Sequence, residues 1–250
     1  MSRYRAFAIH FGISLAIFAV LAWLVVAVWY PGFFFDTDGG WEGIRIIVLV
    51  DLVLGPLLTL IVYKAGKPGL AFDLTMIGLV QAAALAAGIY VVHQERPLAM
   101  VYVDGHFYSV SHDDFEEVSV DVPDFDRFPG RAPKWVRVDL PTDPIAQADV
   151  RGSMWKAGTP MRLATERYAP FETNASFWSE AHDLADVEER DWEQTILPRW
   201  LATHGGEIAD YRFYPYGARY KYVFVGFRVG ESEPVGMLDV AAPYAPDGPG

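Results

Sequence analysis

The residues of this chain most able to do chemistry are polar groups set inside apolar runs: Asp51, Gln81 and the Gly55-Pro56 pair. A carboxylate at hydrocarbon depth costs roughly 2.5–3.5 kcal/mol on insertion scales, so Asp51 calls for a partner helix or a proton. Gln81, at comparable depth on an antiparallel neighbour, is the first candidate partner. Pro56 has no N–H for the carbonyl of Leu52, which predicts a kink and a freed backbone acceptor. Gly78, Ala82 and Ala86 recur every fourth residue and predict a smooth stripe for close helix contact. Two readings follow: these residues lock three helices to one another, or they form a docking groove for a further membrane helix. A proton path is disfavoured, because no chain of ionisable groups continues across.

Other reactive residue types form no recognisable constellation. There is no G-x-G-x-x-G, P-loop, G-x-S-x-G or H-E-x-x-H, so no catalytic residue is assigned. With no Cys, disulfides, thiolate zinc sites, iron–sulfur clusters and Cys nucleophiles are excluded. His112-Asp113-Asp114 is better read as a solvated turn than as a metal site, and no metal or cofactor is expected. Asp186, Glu188, Glu189, Asp191 and Glu193 read as a wet helix face or, alternatively, as an attractor for a basic partner. Eight aromatics fall between Tyr211 and Phe227. They are core, or, around Tyr220, Tyr222 and Phe224, a surface that receives another protein, with Arg219 and Lys221 guarding its edge.

The elements that must position these groups begin with three hydrophobic runs. Residues 6–30 carry no formal charge over 25 residues, longer than the roughly 30 Å hydrocarbon core requires. The run is too long for a signal-peptide core, and Trp29-Tyr30-Pro31 replaces a small-residue cleavage site, which predicts an uncleaved anchor. Further spans are expected over 44–63 and 72–92. Arg3, Arg5, Lys64 and Lys67 then lie on one side of a three-pass topology, which the positive-inside rule makes cytoplasmic. Asp73 lies at that edge, within reach of Lys64 or Lys67. The expected architecture is an integral membrane protein of the bacterial inner membrane: a three-helix membrane domain, 1–92, and a periplasmic α+β domain, 93–250, with an antiparallel sheet.

Charge divides the same way. Of 20 Lys and Arg and 32 Asp and Glu, five of each fall before residue 93, so the net −12 resides on the C-terminal part. That acidity argues against nucleic-acid binding, which requires a basic surface. Within this part, residues 98–111 predict a hairpin around Asp104-Gly105, and 134–140 a half-buried strand. Asp143-Pro144 opens a helix that Gly158 stops, and a second helical stretch, 174–203, should be broken at Pro198 and ended by Gly205-Gly206. Residues 219–229 predict a central strand, 235–241 its hairpin partner and 244–250 a frayed tail.

The stretch from Phe33 through Trp41-Glu-Gly-Ile-Arg-Ile-Ile, with Val50-Asp-Leu-Val-Leu-Gly-Pro-Leu-Leu-Thr-Leu-Ile-Val62, resembles the type IV pilin accessory proteins of the TfpX/TfpZ family. So do Gly69-Leu-Ala-Phe-Asp-Leu74, Gln81-Ala-Ala-Ala-Leu85 and the hairpin over 101–110. Asp51, Gly55, Pro56, Asp73 and Gln81 fall on motif positions. The resemblance implies an inner-membrane, chaperone-like accessory protein that assists a type IV pilin into pili, with the pilin's membrane helix, and its head domain, as partners beside the lipid bilayer. Two rivals are a periplasmic enzyme modifying pilin or glycan, and a membrane-anchored ligand sensor.

Overall fold

The computed structural model describes residues 2–184, 187 and 192–242, and the chain divides into two compact units, Met1–Arg96 and Pro97–Gly250. The N-terminal unit is helical. Helix α1 (Arg3–Leu24), capped by the Ser2 hydroxyl, continues through a π-helical segment, Val25–Trp29. After the short α2 (Phe34–Thr37), α3 (Gly40–Ile47), a π-helical Val48–Leu54 and α4 (Gly55–Val62) form one helical stretch, and α5 (Leu70–Glu95) completes the set.

Three helices, Arg3–Trp29, Gly40–Val62 and Leu70–Glu95, are long and apolar enough to cross a membrane. Each exceeds the apolar run expected from sequence, because helical hydrogen bonding continues through flanking polar residues that hydropathy excludes. Their apolar side chains are largely uncovered: Val20 is 65 %, Ile61 68 % and Phe72 69 % exposed. A soluble bundle would bury such a surface.

The C-terminal unit is built on a seven-stranded sheet. In chain order it contains β1 (Ala99–Val103), β2 (His106–Val110), α6 (His112–Glu117), β3 (Lys134–Val138), α7 (Pro144–Ala157), β4 (Tyr168–Pro170), α8 (Ala175–Ser179), α9 (Trp192–His204), β5 (Tyr211–Gly217), β6 (Tyr222–Arg228) and β7 (Pro234–Leu238). The β1–β2 hairpin turns on Asp104 (φ 53°) and Gly105 (φ 76°), the two positive-φ positions that favour Asp-Gly. Helix α7 forms as its sequence predicts. Asp143 Oδ2 accepts from the Ala146 N–H at 2.8 Å, Pro144 occupies the first turn and Gly158 closes it.

Strand order is β4-β3-β1-β2-β5-β6-β7. The expected antiparallel sheet is in fact mixed, since β1 pairs with β3 and β2 with β5 in parallel. Strand periodicity is blind to direction, and these pairs are joined by long connections. The hairpin β1–β2 therefore lies inside the sheet, with all five β1 residues buried. One face packs Val101, Val110, Phe115, Val136 and Leu163; beyond it, Trp192, Trp200, Phe213 and Phe224 form a second cluster.

Two other expectations are corrected. The helical stretch expected over 174–203 resolves into α8 and α9, and α9 runs through Pro198 rather than breaking there. Burial of Trp192 and Trp200 on either side of Pro198 anchors the helix across the missing donor. The strand β5 was not anticipated, because Pro215 and Gly217 punctuate it. Asp186, Glu188, Glu189 and Asp191 of the acidic run, and residues 244–250, lie outside the described residues.

Candidate functional site

Helical spacing brings five polar side chains of the N-terminal unit together. His10 and Ser14 share a face of α1; Asp51 and Thr59 share a face of the second long helix; Gln81 comes from α5. Asp51, only 2 % exposed, accepts at Oδ1 from the Ser14 hydroxyl at 3.0 Å and from Gln81 Nε2 at 2.6 Å. Gln81 Oε1 lies 2.9 Å from His10 Nε2, and His10 Nδ1 lies 2.6 Å from Thr59 Oγ1. Because the Gln81 amide donates to Asp51, its oxygen accepts; His10 Nε2 then carries the proton, and Thr59 donates to Nδ1. One directed chain, Thr59 to His10 to Gln81 to Asp51, thus ties all three long helices. Asp51 Oδ2 is buried without a hydrogen-bond partner.

Gly55 and Pro56 belong to this constellation for steric reasons. A Cβ on Gly55 would lie 2.1 Å from Gln81 Oε1, so only glycine admits the amide. Pro56 stands in the first turn of α4, just past the π-helical segment Val48–Leu54. The backbone carbonyl of Asp51 accepts from Gln81 Nε2 at 3.3 Å, so the amide that holds the Asp51 carboxylate also covers a backbone oxygen of the same residue.

An apolar groove of about 300 Å³ adjoins this network, walled by Leu54, Gly55 and Leu58 on one helix and Ile77, Val80 and Gln81 on the other. Gly78, Ala82 and Ala86 do not face it as a bundle contact. All three are exposed to one side of Gln81, and no atom lies within 4 Å of a Cβ placed on Gly78. At the helix end, Lys67 Nζ meets Asp73 Oδ2 at 2.5 Å, the pair expected from sequence.

The C-terminal candidates disperse. Phe224 is fully buried and Tyr222 packs partly against the core, leaving Tyr220 exposed alone, so the three form no common surface. Arg219 pairs with Asp113 at 3.1 Å and Lys221 with Asp239 at 3.0 Å. Asp114 is occupied by the backbone and hydroxyl of Ser111 at the start of α6, and among the described residues no group of three or more His, Asp or Glu is arranged to hold a metal.

A polar cleft of about 490 Å³ opens between the β1–β2 turn, the end of β3 and α8. Three of its four carboxylates are engaged as follows: Asp104 by both terminal nitrogens of Arg151 at 2.6–2.7 Å, Asp139 by Arg137 at 2.6 Å, and Glu180 by Tyr102 at 2.7 Å and Ser176 at 2.8 Å, while Glu172 also lines the cleft. Burial, then the Glu180 carboxylate, pushes the Tyr102 phenol far above its ordinary range, and the same two causes raise Tyr214. The Asp104 carboxylate raises the Arg151 guanidinium.

Sequence reasoning found Asp51, Gln81, Gly55 and Pro56 but missed His10, Ser14 and Thr59. The signal was available: 10 and 14, and 51, 55 and 59, are each four residues apart within apolar runs.

Comparison with known proteins bears on the same region. The family described as fimbrial assembly protein FimB matches residues 1–34. Among curated proteins of Dichelobacter nodosus, the fimbrial assembly protein of serogroup I is 32 % identical over 125 residues, covering 48 % of this chain and 49 % of that protein. The fimbrial assembly protein of serogroups C1 and C2 is 34 % identical over 96 residues, 38 % of this chain and 73 % of that protein. That of serogroup E1 is 30 % identical over 125 residues, 48 % of this chain and 49 % of that protein. The chain thus spans about half the length of two of these relatives. No solved structure matches it.

Proposed function

We propose, from the premise that this chain belongs to the fimbrial assembly protein family, that it is a non-enzymatic accessory factor of type IV pilus assembly. In this reading the three long helices cross the inner membrane, the N-terminus and the Lys64–Lys67 turn lie in the cytoplasm, and the acidic C-terminal unit lies in the periplasm. The pilin waits in the same bilayer on an apolar helix. That helix seats in the groove beside Gly55 and Gln81, and the C-terminal unit meets its head.

The observation that carries the reading is an almost wholly apolar groove lying against a buried polar network in the N-terminal unit. The network fixes three helices in one arrangement, so the groove is preformed. A preformed groove holds a partner helix without the ordering cost of assembling it. Leu58→Trp and Val80→Trp fill the groove while leaving Asp51 and Gln81 untouched. Pilin should copurify with the full chain from solubilised membranes, and these variants should lose it. Undiminished recovery by both would eliminate groove docking, and absence of pilin from the wild-type chain would eliminate the accessory role.

A further inference from the structure

In the acidic C-terminal unit an arginine finds carboxylates readily: Arg137, Arg151 and Arg219 each meet an Asp at 2.6–3.1 Å. Two arginines at the end of the β5–β6 pair differ. Arg212 Nη1 donates to the carbonyls of Ala209 at 3.1 Å and Tyr211 at 2.7 Å, and no carboxylate among the described residues pairs with it. Arg228 lies over the Tyr211 ring, and its Nη2 donates to the His204 carbonyl at 2.8 Å and the Tyr211 hydroxyl at 2.6 Å. Glu231 Oε1 stands 3.9 Å from Arg228 Nη1, too far for a hydrogen bond, and Arg228 Nε is buried without a partner. Neutral oxygens thus fix both cations in place without neutralising them.

Tyr211 opposes Arg228 and Arg212 opposes Phe227, so the two arginines leave opposite faces of the β5–β6 pair. Both side chains nevertheless turn back past the strand end, and with Gly206 and Ala209 they line one open pocket of about 480 Å³. Its one acid, Asp210, is committed, since Oδ2 accepts from the Glu207 N–H at 2.8 Å. We propose that this pocket binds a phosphate-type oxyanion between the Arg212 and Arg228 guanidiniums. Two fixed cations suit a doubly charged tetrahedral group better than a single carboxylate. The donors left for it are Nε and Nη2 of Arg212 and Nη1 of Arg228, none of which has a hydrogen-bond partner among the described residues. The pocket leaves room for a carrier of the phosphate, either a soluble ester or a lipid headgroup. This inference does not depend on the pilin reading.

Radiolabelled inorganic phosphate is dialysed to equilibrium against the full chain in maltoside micelles, which contain no phosphate. The wild-type chain should take it up saturably, which assigns the pocket to soluble phosphates. Arg212→Gln removes one cation, and Ala209→Trp fills the pocket with both guanidiniums still present; each should weaken uptake about tenfold or more. Arg199→Gln deletes the same charge from an exposed position on α9 and should leave uptake unchanged. Thermal unfolding of each variant separates lost binding from lost folding. Should inorganic phosphate not bind, phosphatidylglycerol that survives delipidation on the wild-type chain but not on Ala209→Trp would assign the pocket to a lipid headgroup. The proposal is overturned if neither ligand is held, if Ala209→Trp binds as well as the wild type, or if Arg199→Gln loses as much as Arg212→Gln.

Discussion

Gln81 is the residue on which the polar network turns, because one amide covers the Asp51 carboxylate, covers the Asp51 backbone carbonyl, and receives His10. Removing it strands three groups, yet hydrogen bonds between membrane helices average only about 0.6 kcal/mol in double-mutant cycles. Gln81→Ala should therefore lower stability modestly, by about 1 kcal/mol, in thermal unfolding of the detergent-solubilised chain. Gly55→Ala should cost more, since its methyl is driven into the Gln81 amide. The double variant should be no worse than Gln81→Ala alone, because the obstruction has gone; additive losses would show that the two residues do not meet. In the C-terminal unit, Tyr102 and Tyr214 have folded-state values raised above those of the unfolded chain, first by burial and then by Glu180. Their contribution is present below pH about 10, where an unfolded tyrosine ionises, and is lost as pH rises beyond it. Replacing Tyr102 by Phe should therefore leave the phenolate absorbance developed around pH 10 by the folded protein unchanged. An amplitude smaller by one tyrosine would refute the shift. Asp51 and Gln81 were legible in the sequence because a carboxylate and an amide inside apolar runs are conspicuous. His10, Ser14 and Thr59 blend in as tolerable helix residues, and only their four-residue spacing marks them.

At the scale of elements, local chemistry was readable and long-range pairing was not. The start of α7, its stop at Gly158 and the Asp104-Gly105 turn each depend on residues within four positions of one another. The mixed sheet depends on β1 meeting β3 and β2 meeting β5 across long connections, and side-chain alternation carries no strand direction. Helix α9 crosses Pro198 because two buried tryptophans hold it, a tertiary effect that no local rule records. Helix α7 also separates two kinds of fastening. Asp143→Ala removes a side-chain cap and should cost the C-terminal unit roughly 0.5–2 kcal/mol in denaturant unfolding. Arg151→Ala breaks an ion pair whose partners are both about two-fifths exposed, and should cost under about 1 kcal/mol. The reverse order would mean that the bridge to Asp104, not the cap, secures the helix.

For the whole molecule, the division into a helical unit of zero net charge and a unit holding all of the −12 was visible in composition alone. Which side of a bilayer each end occupies is a testable consequence of where the basic residues fall. Alkaline phosphatase fused after Gly250 should be active, and the same enzyme inserted between Lys64 and Lys67 should be inactive; the opposite pattern would invert the proposed topology. Strand order carries a consequence for how such a chain is made. The hairpin translated first, β1–β2, occupies the middle of the finished sheet, with β3 and β4 laid on one flank and β5, β6 and β7 on the other. A growing polypeptide can thus add strands outward from its first hairpin, and the segment through Pro170, once clear of the ribosome, holds a contiguous four-stranded half with one flank still open for the remainder.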